Sequence, residues 1–308
     1  MKKFRYRANL HCHTTVSDGS QTPEQIRDIY KAKGYHIVAF TDHETLKGQT
    51  HLCDKDFLAV NSVEMALSQP GDMPWPRKKC YHLNLYAMRQ DMTQTPVHLH
   101  EAAAYDDIAA INKYITERTA EGFLVCYNHP YWSLQTFADY GNLQGCFAME
   151  IYNHGCEVTD GYYGYHPQAY DEMLRQSHGR GLFCVSTDDN HNRGPAGNPH
   201  IDSFGGWIWV DSPSLDYGDV MQAIARGDFY SSQGPEIYDY GVKDNLLTVQ
   251  CDPCELITVY TQGRHCQIKT GTDMEHAEFT LKGDEGYVRV MCRNKYKKDA
   301  NTNAIWLG

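Results

Sequence analysis

No run of about 18 apolar residues occurs in this 308-residue chain, which excludes a membrane-spanning helix on length. The N-terminus, MKKFRYRANL, lacks the apolar stretch of about 7 to 15 residues that a signal peptide needs, so none is expected. Cations are scarce as well. With 28 Lys and Arg against 39 Asp and Glu the net charge is −11, which argues against duplex nucleic acid as a partner, since phosphate backbones are bound through clustered cations. There is no GxGxxG or GxxxxGK(S/T) loop to cradle phosphates and no GxSxG nucleophile elbow. The 11 cysteines are odd in number, scattered and often set in apolar runs (Cys126, Cys184, Cys292), the pattern of small buried hydrophobes in a reducing cytoplasm. Cys251-Asp252-Pro253-Cys254 has CxxC spacing, but no second CxxC accompanies it and a β pattern surrounds it, so it reads as structural.

What the chain does have is an ordered series of nine metal-binding side chains: His11, His13, Asp18, His43, Glu64, His82, His129, Asp189 and His191. Each falls beside or just after a short apolar run. FRYRANL ends in His11-Cys12-His13, HIVAFT in Asp42-His43, FLAVNSV in Glu64 and LVCYN in His129-Pro130, while GLFCVST leads into Asp188-Asp189-Asn190-His191. Such spacing is expected when the ends of several strands converge on one cavity. In a strand, residues two apart face the same way, so His11 and His13 can bind one ion together. Imidazole and carboxylate without thiolate suit Zn, Mn or Fe in an open hydrolytic site rather than a closed structural zinc. A single His after a strand is usually a hydrogen-bonded loop residue; the HxH pair, the TDH tripeptide and the DxH pair in this order are what point to metal.

The segments HCHTTVSDGS (11–20), FTDHETLKG (40–48), VEMA (63–66), YHLNLYA (81–87), NHPYW (128–132) and STDDNH (186–191) resemble the PHP family, the polymerase and histidinol phosphatase metallohydrolases, over about residues 7–231. The resemblance implies an α/β fold, a distorted (β/α)7 TIM-like barrel with two or three divalent metal ions at the carboxyl ends of its strands. It further implies that His11, His13, Glu64 and Asp189 hold a first ion. Glu64 bridges to a second, bound by His82 and His129, and Asp18, His43 and His191 hold a third. Asp18 stands where several members have His, and a carboxylate is still a good hard ligand there.

The rest of the chain supports a β/α rhythm. Thr22-Pro23-Glu24-Gln25 reads as a capping box with Pro at the first helical position, and Gly34 closes that helix. Further helices are expected over 103–121, 168–178 and 217–226, each stopped by Gly. The rhythm ends near residue 232. Runs such as LLTVQC, LITVYTQG, AEFTLKG and YVRVMCRN then predict a small all-β, sandwich-like domain of about six strands over 233–308, after a metallohydrolase domain over 1–232. FYSSQGPEI and the late YVRV and AIW resemble the C-terminal part of the CehA/McbA-like branch, which includes a carbaryl hydrolase. This β domain is a candidate for homo-oligomer formation.

Two cations sharing Glu64 would lower the pKa of a water held between them, with Asp189 taking its remaining proton, so hydrolysis of a small phosphomonoester, a nucleotide or sugar phosphate, is the leading reaction. Substrate contacts are expected from Arg193, from Arg77 and Lys78 in the Pro-rich, basic stretch 70–79, and from Trp132; Trp75 and Lys79 belong to the same stretch. His154, after AMEIY, is a candidate leaving-group acid or a hydrogen-bonded support. Hydrolysis of a carboxyl or carbamate ester or amide is the alternative, and a non-catalytic binding protein that keeps its metals for stability is a third reading.

Overall fold

Six of the first seven strands carry the nine candidate ligands into one cluster in a computed structural model that describes residues 6–177, 181–195 and 197–307. In chain order the elements are β1 (Tyr6–Asn9), α1 (Pro23–Ala32), β2 (Ile37–Phe40), β3 (Leu58–Ser68), β4 (Cys80–Ala87), α2 (Leu99–Ala102), α3 (Ile108–Glu121) and β5 (Phe123–Tyr127). There follow α4 (Phe137–Tyr140), β6 (Ala148–Asn153), α5 (His154–Thr159), α6 (Pro167–Ser177), β7 (Phe183–Thr187), β8 (Trp207–Val210), α7 (Tyr217–Arg226) and β9 (Phe229–Ser232). The C-terminal strands are β10 (Ile237–Lys243), β11 (Leu246–Thr261), β12 (Gln267–Thr280), β13 (Tyr287–Arg293), β14 (Asp299–Thr302) and β15 (Ile305–Trp306).

Strands β1, β2 and β3 run parallel, β4 is antiparallel to both β3 and β5, and β5, β6 and β7 run parallel again. The path comes back towards its start beyond the ends of β7 and β1, where Cys12 and Asn190 form a parallel bridge and Asp189 N donates to the His11 carbonyl at 2.9 Å. β2 is buried on both faces, as a parallel strand between layers should be. Ile37 and Ala39 pack with Ala8, Val60, Val185 and the apolar residues of α7, while Val38 and Phe40 pack with Ile26 and Tyr30 of α1.

The expected capping box of α1 is present: Gln25 N donates to Thr22 Oγ1 at 3.3 Å and Thr22 N to Gln25 Oε1 at 2.8 Å. The helix expected from 103 begins instead at Ile108. Ala103 is extended, and the Asp107 carboxylate accepts from Ala110 N at 3.0 Å, capping the helix five residues later than apolar periodicity suggests. The end expected at 178, with its Gly179 stop, lies outside the described residues. Among the described residues no helix is long and apolar enough to cross a membrane.

The six strands beyond residue 232 have a core of their own, with Ile237, Leu247, Val249, Ile257, Val259, Val288 and Val290 at its centre. They are nevertheless hydrogen-bonded into the same sheet, since β14 pairs with β9 through Ala300 to Ser232 and Thr302 to Tyr230. β11 runs unbroken through LLTVQC, CDPC and LITVYT. The ladder to β12 shifts register between Gln250 and Cys254, and that irregularity accommodates Pro253, which has no N–H to donate. Cys251 and Cys254 are both buried in this core, their sulfurs 4.0 Å apart.

Candidate metal centre

Beyond β1 the chain stays extended through His11-Cys12-His13 because it is held on both sides: Thr41 N donates to the Cys12 carbonyl at 2.9 Å and His13 N to that of Asn190 at 3.0 Å. The two imidazoles therefore turn to one side, with their Nε2 atoms 3.1 Å apart. Asp18 follows in a loop fixed by Asp42, whose carboxylate accepts from Thr14 N at 2.7 Å and Ser17 Oγ at 2.9 Å. Gly19 is required beside it, since a Cβ there would lie 2.5 Å from the His13 carbonyl oxygen.

His43 follows β2, while Glu64 and His82 come from inside the β3–β4 hairpin rather than from strand ends. Ala66 pairs with His82, so Glu64, two residues before Ala66, shares that face of the hairpin. His129 and Asp189 follow β5 and β7 with left-handed backbones, φ 23° and 51°, and Glu44 beside His43 has φ 53°. Left-handed backbone at non-glycine residues costs about 1–3 kcal/mol each and persists where surrounding structure enforces it, typically at functional sites.

All nine candidates meet here. Asp189 Oδ1 lies 3.1 Å from His11 Nε2 and 3.0 Å from His13 Nε2, and Glu64 lies 3.3 Å from each of those nitrogens. Glu64 Oε1 is also 3.0 Å from His82 Nδ1 and 3.4 Å from His129 Nε2, while its Oε2 is 3.1 Å from His43 Nδ1. Ligands roughly 2.1 Å from a common cation stand roughly 3.0–3.4 Å apart at right or tetrahedral angles, so these separations and this donor set fit divalent metal. The outer group is looser, with Asp18 Oδ1 3.4 Å from His191 Nε2 and 3.8 Å from His43 Nε2 and His13 Nδ1.

Burial and charge oppose one another throughout this cluster. Burial works to raise Glu64, but the charges of His11, His82 and His43 hold it well below the usual carboxylate range. Asp189 is likewise lowered against its burial by His11 and His13. Burial works to lower His13, yet hydrogen bonds to Asp189 and Glu64 carry it up to about 9; His11 and His82 are raised for similar reasons. His43, depressed by burial and then by His13, falls to about 3. At neutral pH a cation must therefore displace protons from His11, His13 and His82, so affinity falls as pH drops below about 9. Calorimetric metal titrations at pH 7.5 in two buffers of different ionisation enthalpy are expected to give different heats, with about one or more protons released per chain; equal heats would contradict this protonation.

A carboxylate absent from the nine supports them. Glu150, buried within the apolar strand β6, accepts from His11 Nδ1 at 2.6 Å, Thr187 Oγ1 at 2.7 Å, Asn153 Nδ2 at 2.9 Å and His129 N at 3.0 Å. It thereby presents His11 Nε2 to the centre. Asn128 Nδ2 donates to Glu64 at 2.8 Å and Asn153 Nδ2 to Asp189 at 3.0 Å. The signal for Glu150 in the sequence is a charged residue at a position where AMEIY is otherwise apolar. Glu150→Gln is expected to weaken metal binding roughly 10–100-fold, read by competition with a chromogenic chelator.

The expected substrate contacts fare differently. Arg193 turns back to Asp18, its Nη2 2.8 Å from Oδ2 and also hydrogen-bonded to the Asp18 carbonyl. Lys79 is tied to Asp139 at 2.7 Å, and Arg77 is exposed on the hairpin loop beside half-buried Lys78. Trp132 packs its ring on His129 and His82, with centroids 5.0 and 5.7 Å apart. His154 Nδ1 lies 2.8 Å from Tyr152 OH, and its ring covers Gly205; burial and then Lys298 bring it down to about 4.

No family model matches the chain. A 42-residue stretch is 45% identical to the phosphoribosyl 1,2-cyclic phosphate 1,2-diphosphodiesterase of Eggerthella lenta, covering 14% of this chain and 16% of that protein. Among solved structures the chain is similar to a two-domain protein from Bacteroides vulgatus containing a predicted PHP-like metal-dependent phosphoesterase, at a TM-score of 0.49 and 12% identity over 98% of this chain and 96% of that one. It is also similar to an amidohydrolase from Chromobacterium violaceum, at a TM-score of 0.39 and 15% identity over 62% of this chain and 89% of that one.

Proposed function

We propose that this chain is a PHP-type metal-dependent phosphoesterase that hydrolyses a small phosphomonoester, a nucleotide or sugar phosphate. The observation that carries the reading is the convergence of nine imidazole and carboxylate ligands at separations suited to shared cations. In this reading a distorted (β/α)7 barrel over 1–232 holds the site and a sandwich-like unit follows over 233–308.

Two or three divalent ions, Mn, Zn or Fe, would supply Lewis-acid polarisation of the phosphoryl group and a lowered pKa for the attacking water. His11, His13, Glu64 and Asp189 would hold one ion, Glu64 with His82 and His129 a second, and Asp18, His43 and His191 a third. Asp189 is assigned the proton transfer on geometry: at 11% exposure it is open to solvent where Glu64 is not, and Asn153 orients its carboxylate toward the centre. Glu64, 1% exposed, keeps its charge for the centre. His154, lowered to about 4 and bonded to Tyr152, is neutral at working pH and suits positioning better than leaving-group protonation.

The test is release of inorganic phosphate by Mn²⁺-loaded protein from a panel of nucleotides, nucleoside bisphosphates and sugar phosphates. Release that chelation abolishes supports the reading. A flat panel from metal-loaded protein favours the second reading, hydrolysis of a carboxyl or carbamate ester or amide. One observation supports that alternative: Arg193 and Lys79 are already paired with Asp18 and Asp139, which leaves fewer free cations for a charged substrate.

A further inference from the structure

Next to the metal centre lies a cleft of about 220 Å³ that the proposed chemistry does not use. Three chain segments build most of it: Trp75 and Lys78 come from the β3–β4 hairpin loop, Trp132 and Leu134 follow His129, and Asp160 and Tyr163 follow α5. Trp132 joins the cleft to the centre. One part of its ring packs on His129 and His82, and Trp75 meets it at a centroid distance of 5.9 Å and an angle of 64°.

Its surface is costly to leave in water. Trp75 is 66% exposed, Leu134 38% and Tyr163 36%, and the Tyr163 ring meets that of Tyr131, itself 55% exposed, at a centroid distance of 4.5 Å and a tilt of 45°. A single exposed aromatic needs no explanation, but several on one rim beside a chemical centre mark a binding surface. The two indoles give a flat ring a floor and a wall. Lys78 and Asp160 add one donor and one acceptor at the edge, which suits a ring with polar edges better than a purely hydrocarbon one. The volume is that of one ring system, smaller than a site for a whole drug-sized ligand.

We propose that this cleft holds the heteroaromatic base of the substrate, so that the phosphomonoester cleaved is that of a nucleoside rather than of a free sugar. The proposal rests on the phosphoesterase reading for its chemistry but not for its binding. A phosphoryl group at the centre and a base against Trp132 are then parts of one ligand.

The experiment has two arms. In turnover, the ratio of kcat/KM for adenosine monophosphate to that for ribose 5-phosphate is compared between wild type and Trp75→Ala. Trp75 is chosen because its removal leaves the contact of Trp132 with His82 and His129 in place. Loss of one base-stacking partner is expected to lower the ratio about 10-fold or more. An unchanged ratio, or phenyl phosphate turned over as well as the nucleotide, would overturn the proposal. In binding, adenosine without phosphate is titrated calorimetrically into metal-loaded wild type, Trp75→Ala and Trp132→Ala. Saturable binding that weakens in both variants supports the cleft even if no phosphate is released from any ester. Absence of binding to wild type at millimolar adenosine would overturn the cleft even if sugar phosphates are hydrolysed.

Discussion

Asp189→Asn is expected to lower kcat/KM for the best phosphate ester by roughly 10²–10⁴-fold while the protein stays folded. The substitution keeps the size of the side chain and removes its charge. Asp189 Oδ1 stands 3.0–3.1 Å from the Nε2 atoms of His11 and His13, and Oδ2 accepts from Asn153. An amide has one oxygen for these three partners and cannot take a proton at neutral pH. Because the backbone at Asp189 is left-handed and its N–H is held by the His11 carbonyl, Asn, which tolerates that conformation, is the right replacement. Metal content measured on the same preparation separates the two contributions. A variant that keeps its metal and loses turnover has lost the proton acceptor, whereas one that loses metal has lost a ligand. Activity within about threefold of wild type would remove Asp189 from the chemistry.

The second large effect is on stability. Arg289 of β13 is buried, and its Nε and Nη2 each bond an oxygen of Asp171 on α6 at 2.7 Å. Nη1 donates to Asn301 at 3.3 Å, and the guanidinium lies 4.1 Å over the Tyr260 ring. This pair fastens the C-terminal strands to a helix of the preceding region. Arg289→Ala leaves the Asp171 carboxylate, only 14% exposed, without its partner, and such a loss costs about 3–5 kcal/mol. The thermal midpoint should fall by roughly 5–8 °C, read by calorimetry. Replacing both partners by apolar residues, Arg289→Met with Asp171→Leu, should recover most of the loss, because the penalty lies in the stranded charge. Equal damage from the single and double variants would show that packing rather than charge dominates.

Much of the centre is legible in the sequence because each ligand is local: HxH, TDH and DxH mark turns that follow short apolar strands, and their order along the chain matches the order of strands around the site. What stays hidden depends on distant pairing. Glu150 becomes a support for His11 only when β6 comes to lie between β5 and β7, and the two residues are 139 apart. Arg193 looks free for phosphate in the sequence, but its partner Asp18 lies 175 positions away. Glu64 looks like a strand end because it is the first charged residue after FLAVNSV, whereas the hairpin carries both it and His82 within its paired strands. The same holds for the C-terminal strands. Their alternation predicts β structure, yet nothing local says that β14 extends the sheet through β9.

In the proposed function these nine residues form a centre for more than one divalent ion, joined through Glu64. Elemental analysis of protein purified with added Mn²⁺ tests it most directly, comparing wild type with Glu64→Gln, which has nearly the same shape. About two to three metal equivalents per wild-type chain are expected, with a loss of at least one equivalent in the variant and the fold retained by circular dichroism. Folded wild-type protein that binds less than about one equivalent, or a variant with undiminished metal, would contradict it.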